Sequence, residues 1–438
     1  MKNVMLVVGV FVIMFFIAIN YLTPQEIPMI NIDENVNIYI VADPHYMSNK
    51  LTEDSETFTN YLESVDRLMH YTGFLLTMVE KDIKENKPDI VVFPGDLTNN
   101  GSRINHLEFE KRLKRIKSSG AKVYVVPGNH DIGNEKALKF KDNDIHLTDY
   151  LTHAEFVEIY QDYGYKDAVL RDENSLSYLV KPYQNLWLLM LDTTKDHPAP
   201  GGYLNRDTLD WIISCSEMAK AENAEIIAVM HHNLLDHSEI VWEDYTVDNN
   251  TSLVNTFLES GIKVVLSGHI HIQDIKSTTS SQTDNTVYDI ATSSLPVFPH
   301  QYGKLIYSPS KGYKYETVKL NVEKYALENN ITDENLLSFN TYAEEFFVEN
   351  LCRKHRKSIS ILDLTDEEKE LVYYTVSEMN KRYFAGYRNE SLKELIETEG
   401  FKIIESLDEC FIQEYVMGMI DDEYADNNFI EIPPSQDP

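Results

Sequence analysis

Between Asp43 and His271, five short clusters carry side chains of the kind that bind cations: Asp43-Pro44-His45, Gly95-Asp96, Gly128-Asn129-His130-Asp131, His231-His232-Asn233 and Gly268-His269-Ile270-His271. Imidazole nitrogen with carboxylate and amide oxygen, and no thiolate, suits borderline divalent ions such as manganese, iron or zinc better than calcium or a structural zinc. Two such ions about 3.5–4 Å apart can hold a hydroxide and clamp both oxygens of an in-line displacement, which is phosphate-ester chemistry. Taken singly, each cluster reads equally well as a capping aspartate or a buried imidazole. Their joint placement is what carries information.

Each cluster follows a short apolar run: Val36–Ala42, Ile90–Phe93, Val123–Val126, Ile226–Met230 and Val264–Leu266, with Leu186–Leu191 ending at Asp192 in the same manner. Runs of four to seven Val, Ile and Leu residues predict buried strands. Helical patterns lie between them at Ser55–Asn86, His106–Ser118, Arg206–Ala221 and Ser252–Ser260, with Gly120 and Gly261 as stops. Alternating strands and helices predict an α/β layered core with largely parallel strands. In such sheets ligands bind beyond the carboxyl ends of the strands, so all five clusters converge on one edge. Gly95, Gly128 and Gly268 are expected to let the backbone turn sharply there.

Beyond His271 the pattern changes. Thr286–Thr292 and Leu305–Leu320 alternate like antiparallel strands, and from about residue 330 the chain reads as helical and acidic, with 10 Lys and Arg against 25 Asp and Glu over residues 330–438. This places a catalytic domain at 33–325, a boundary near 325–330, an acidic helical C-terminal domain at 330–438 and a loose tail from Asp421. The whole chain of 438 residues carries a net charge of −32, which disfavours nucleic acid as a partner because no basic face remains for phosphates. Cys215, Cys352 and Cys410 show no paired spacing and predict neither a disulfide framework nor a zinc knuckle. Lys2 and the uncharged run Val4–Ile19 predict a signal anchor or signal peptide over residues 1–24. That reading leaves the catalytic domain outside the cytoplasm, membrane-anchored or secreted, touching membrane through the N-terminal segment only.

Asp43-x-His45, Gly95-Asp96, Gly128-Asn129-His130-Asp131, His231 and Gly268-His269-x-His271 resemble, in order and content, the five motifs of calcineurin-like metallophosphoesterases. The ending Gly-Asn-His-Asp is similar to the bacterial class III cyclic-nucleotide phosphodiesterase branch, some members of which carry a C-terminal domain like the acidic helical region. The resemblance implies a four-layer α/β/β/α sandwich and two divalent metal ions. By motif, one ion would take Asp43, His45 and His271, the other Asn129, His231 and His269, with Asp96 shared. His130 would protonate the leaving oxygen or bind phosphate, and Asp131 would orient it. Many relatives have His-Pro where this chain has His232-Asn233, which leaves His231 and His232 both open as ligand. The expected activity is hydrolysis of a phosphodiester, a nucleotide-type small molecule and above all a 3′,5′-cyclic nucleotide. The alternatives are an extracytoplasmic phosphomonoesterase or nucleotidase, a lipid or wall phosphate esterase, or a membrane-tethered binding protein. His300 and His197 are candidates for the pocket rim, Asn99 and Asn100 for phosphate contact, and Tyr46 and Tyr302 for stacking on a base; the bland alternatives are core packing and turn formation.

Overall fold

The computed structural model describes residues 35–434 except 66, 196–198, 239–242, 388–389 and 421–425. The apolar runs form strands where their side chains can be covered on both faces. One sheet holds β1 (Val36–Ile40), β2 (Ile90–Pro94) and β3 (Lys122–Val126) in parallel. It continues antiparallel from β1 through the strands Gln301–Ser308, Gly312–Lys319 and Phe429–Ile432. The second sheet is built on four parallel strands, Leu186–Leu191, Glu225–Met230, Val264–Ser267 and Thr286–Ala291, with antiparallel strands at both edges.

Period-two alternation shows how the sheets stack. In the second sheet Leu188, Met190, Ile227, Val229, Val264 and Leu266 join the core shared with the first sheet. Their neighbours Trp187, Leu189, Leu191, Ala228, Met230 and Val265 face a separate core. Helices Arg206–Ala221 and Asn250–Ser260 cover that outer core through Ile212, Cys215 and Phe257. Helices Met69–Asn86 and Arg103–Ser118 cover the first sheet through Leu75, Val79, Phe109 and Leu113. The order is therefore helix, sheet, sheet, helix.

Two expectations change. The predicted helix Ser55–Asn86 is two helices, Glu56–Ser64 and Met69–Asn86, interrupted where the Leu68 amide donates to the Pro296 carbonyl at 2.9 Å. The predicted loose tail contains Phe429–Ile432, which pairs with Gly312–Lys319 because that strand's outer edge offers free backbone groups. The acidic helices pack against the loop that follows Val264–Ser267. Phe347, Val376, Phe384, Ile404 and Val416 pack with Ile270, Ile272 and Val297, so they are fastened to the loop that carries His269 and His271. Helix Asp366–Phe384 begins with a reciprocal Thr365–Glu368 capping box. Among the described residues no helix is long and apolar enough to cross a membrane; the run Val4–Ile19 lies outside them.

Candidate metal centre

The clusters that follow β1, β2, β3, Glu225–Met230 and Val264–Ser267 meet at one edge of the paired sheets. Leaving a strand abruptly requires unusual backbone, and Asp43, His45, Asp96, His269 and His271 all have φ between 42° and 67°. Left-handed φ at non-glycine residues is uncommon and costly, and it persists where the surrounding fold over-determines it. Of the three motif glycines, only Gly95 has positive φ, at 84°. Gly128 and Gly268 serve through the space they leave: a Cβ there would lie 2.3 Å from Asp96 Oδ1 and 2.3 Å from Asp43 Oδ2, respectively.

The donors form two groups. In the first, Asp43, His45, Asp96 and His271 bring donor atoms within 4.8 Å of one another. His45 Nε2 is 3.0 Å from His271 Nε2 and 3.5 Å from Asp96 Oδ2, and His271 Nε2 is 3.8 Å from Asp43 Oδ1. In the second, His231 Nε2 is 2.9 Å from Asn129 Oδ1 and 3.5 Å from Asp96 Oδ1. Asp96 thus turns one oxygen to each group. Cis ligands bound at about 2.1 Å stand about 3.0 Å apart, so these spacings and this donor chemistry fit divalent cations.

Hydrogen bonds to carbonyls settle which imidazole nitrogens keep a lone pair. His231 Nδ1–H donates to the Pro94 carbonyl at 3.0 Å, leaving Nε2 free toward Asn129 and Asp96. His269 Nε2–H donates to the Asp244 carbonyl at 2.9 Å, leaving Nδ1 free. His232 stands near both, and the three rings offer nitrogens within 4.8 Å of one another. Its Nε2–H, however, donates to the Pro200 carbonyl at 2.9 Å, and its Nδ1 accepts the Thr193 hydroxyl at 2.7 Å, so neither nitrogen is left for a ligand. His231 therefore turns a ring nitrogen into the centre, and His232 does not. Burial pushes the Asp43 carboxyl up to about 6, while for Asp96 burial is outweighed by the neighbouring imidazoles, His231 first, which hold it well below the usual carboxylate range.

His130 Nδ1 lies 2.8 Å from Asn100 Oδ1, and its Nε2 is 4.0 Å from Asp96 Oδ2. Burial pushes its imidazole down to about 4. The expectation that Asp131 orients His130 is corrected. The Asp131 carboxylate accepts from the amides of Leu97, Thr98 and Gly128 and from the Thr98 hydroxyl at 2.9–3.0 Å, lying beneath the loop after β2, and Asn100 takes the orienting position instead. His300, Tyr46 and Tyr302 are buried core residues: His300 Nδ1 donates to the Leu295 carbonyl, and the tyrosines donate to Glu108 and Asp82. Asp192 caps its own loop by accepting from Thr194 and Leu176. His197 lies outside the described residues.

Sequence reasoning missed Arg67. The break between the two helices turns its guanidinium into the centre, where NH1 is 2.8 Å from His45 Nε2 and 3.0 Å from His45 Nδ1. The guanidinium thus sets a positive charge against a ring of the first donor group. The surrounding cleft, about 660 Å³, is lined by Arg67, Asp96, Asn129, His130, His269 and His271 and, from the acidic helices, by Lys354, His355, Phe411 and Tyr415. The C-terminal segment therefore closes one side of the site.

A buried ion cluster braces the loops. His237 Nδ1 is 2.8 Å from Asp274 Oδ2 and its Nε2 is 3.0 Å from Asp289 Oδ2, while Asp289 also accepts from Leu234, Leu235 and Ser267. Burial opposes the charge on His237, but Asp289 and Asp274 prevail and raise it to about 9. A folded-state value above the unfolded one near 6.5 means this stabilisation is complete below about pH 6.5 and is lost as pH rises through about 9. Urea unfolding between those limits is expected to show a decline of roughly 3 kcal/mol that is missing in His237→Gln. Parallel pH profiles for the two proteins would overturn it.

Residues 36–273, more than half of the chain, match the family model described as calcineurin-like phosphoesterase. The chain belongs to that family. Residues 321–426 match a second model, the C-terminal domain of cyclic nucleotide phosphodiesterase. A probable glycerophosphodiester phosphodiesterase of Arcobacter nitrofigilis is 25% identical over 146 residues, 33% of this chain and 42% of that protein. A probable cyclic nucleotide phosphodiesterase of a Psychrobacter species is 22% identical over 218 residues, 49% of this chain and 56% of that one. The chain thus spans about half the length of these curated relatives. Among solved structures, a dimetal phosphatase from Danio rerio is 12% identical with a TM-score of 0.48, covering 65% of this chain and 96% of that one. Family membership and the helix-sheet-sheet-helix order agree with the fold that the five motifs imply.

Proposed function

We propose that this chain is a metal-dependent phosphodiesterase acting on 3′,5′-cyclic nucleotides at a centre of two divalent cations. The observation that carries the reading is Asp96, whose two oxygens face different donor groups. Asp43, His45 and His271 would hold one cation and Asn129, His231 and His269 the other, with manganese, iron or zinc suiting such donors. When bound, such ions polarise phosphoryl oxygens and generate a hydroxide nucleophile at neutral pH. The chain's own groups do the rest. Arg67 meets the non-bridging phosphate oxygens with its fork of donors. His130, held through Nδ1 by Asn100 and neutral in the free site, gains a proton on Nε2 where a bound anionic phosphate favours its charged form, and passes it to the departing alkoxide as the P–O bond breaks. The C-terminal match and the name of the Psychrobacter relative support a cyclic diester.

The test is turnover of bis(p-nitrophenyl) phosphate by purified full-length protein, stripped with chelator and then resupplied with manganese. Turnover that returns only with metal is expected; a protein inert with every divalent ion sinks the reading. A second reading, a phosphomonoesterase working outside the cytoplasm, is favoured by the apolar run Val4–Ile19. Rates on matched mono- and diesters separate the two.

A further inference from the structure

Part of the lining of the cleft comes from two C-terminal helices, Phe339–Ser360 and Phe411–Met417. Three rings there form a tight stack. His355 and Phe411 lie 5.9 Å apart at 19°, Phe411 and Tyr415 5.6 Å apart at 19°, and His355 and Tyr415 4.5 Å apart at 33°. The stack is anchored from behind, because the Tyr415 hydroxyl donates to Asn380 Oδ1 at 2.6 Å and His355 is only 6% exposed. Phe411, in contrast, is 48% exposed while lining the cleft. A large ring held parallel to its neighbours with an open face is a platform for another flat ring.

Charge points the same way. Residues 330–438 are strongly acidic, yet the segment Arg353-Lys354-His355-Arg356-Lys357 gathers four of that region's 10 Lys and Arg beside the stack. Lys354 lines the cleft itself, and Arg353 reaches Glu63, 3.9 Å away, on the helix that precedes Arg67. Lys354 and Arg67 thus bring positive charge into the lining of a cleft that also holds Glu243 and Asp244, and an anionic phosphate is the ligand those two cations favour.

We propose that His355, Tyr415 and Phe411 form the base-binding subsite, so that the substrate is a phosphodiester bearing a planar nucleobase and not a diester of glycerol. A nucleobase has a π face to lay on Phe411 while its phosphate reaches the donor groups; glycerol, choline and ethanolamine have none. The proposal rests on the phosphodiesterase reading above and adds what selects the substrate.

Competition against bis(p-nitrophenyl) phosphate turnover tests it in the full-length, manganese-loaded protein. Cyclic AMP is expected to compete at least about tenfold more tightly than base-free 3′,5′-cyclic ribose phosphate, the scale of one base-aromatic stack. Phe411→Ala is expected to close that gap, and Phe411→Trp to keep it. A merely structural role for Phe411 would weaken both competitors alike and leave the gap in place, which overturns the proposal. Equal competition in the wild type overturns it too, and decides the matter even if Phe411→Ala fails to fold. Absence of metal-dependent turnover in the wild type is a different failure, that of the phosphodiesterase reading itself.

Discussion

Asp96→Asn is expected to lower metal-dependent turnover by at least about a hundredfold, since even partners of metal ligands typically cost 10–100-fold when replaced. The isosteric amide keeps the oxygen that accepts the His130 amide at 2.9 Å, so the loop after β3 retains its place. What disappears is charge. His231, His130 and His45 hold this carboxylate ionised well below the usual range, so the substitution removes a full negative charge at any working pH. It also removes the oxygen chemistry that lets one side chain face both donor groups. Metal content measured on protein purified without chelator is expected to fall with the rate, while the circular dichroism spectrum stays native. Wild-type turnover in a properly folded Asp96→Asn would remove the bridging role and, with it, the two-cation reading.

Gly128→Ala is the second large effect, and it arises from one methyl group. An added Cβ would sit 2.2 Å from the Asp96 backbone nitrogen and 2.3 Å from its Oδ1, where ordinary contacts exceed about 3.4 Å. Backbone cannot swing aside as a flexible side chain can, because β2 and β3 are hydrogen-bonded neighbours up to Pro94 and Val126. The expected cost is about 1–3 kcal/mol of stability, as for an overpacked core. A displacement of Asp96 by on the order of 1 Å is expected to cost a further hundredfold in turnover. Gly120→Ala is the control: its Cβ meets nothing within 4 Å, so only its positive φ of 106° is strained, at about 1 kcal/mol, and turnover is expected to be unchanged. Equal activity in Gly128→Ala and Gly120→Ala would show that the close approach to Asp96 is not required.

The donor atoms were legible in the sequence because the relevant signal is local. A run such as Ile90–Phe93 followed by Gly95-Asp96 says both that a strand ends and that a carboxylate stands at its end, and parallel topology brings such ends together. Gly128 was legible as important but for the wrong reason, since its place beside Asp96 depends on a neighbouring strand and not on its own φ.

What the sequence by itself determined about this protein is an α/β core of alternating strands and helices and the chemical types gathered at one sheet edge, because hydrophobic period and ligand type are properties of consecutive residues. Tertiary structure alone decided which atoms of those residues are free to act. His231 and His232 are neighbours in the chain, and only Pro94 behind one and Thr193 with Pro200 around the other separate a ring turned into the centre from one spent on its own surroundings. Arg67 entered the centre because the helix is interrupted at Leu68, whose amide meets the carbonyl of Pro296, 228 positions further along. The acidic C-terminal helices became one wall of the cleft by packing on Ile270 and Ile272, a contact between segments too distant in sequence for any local pattern to record.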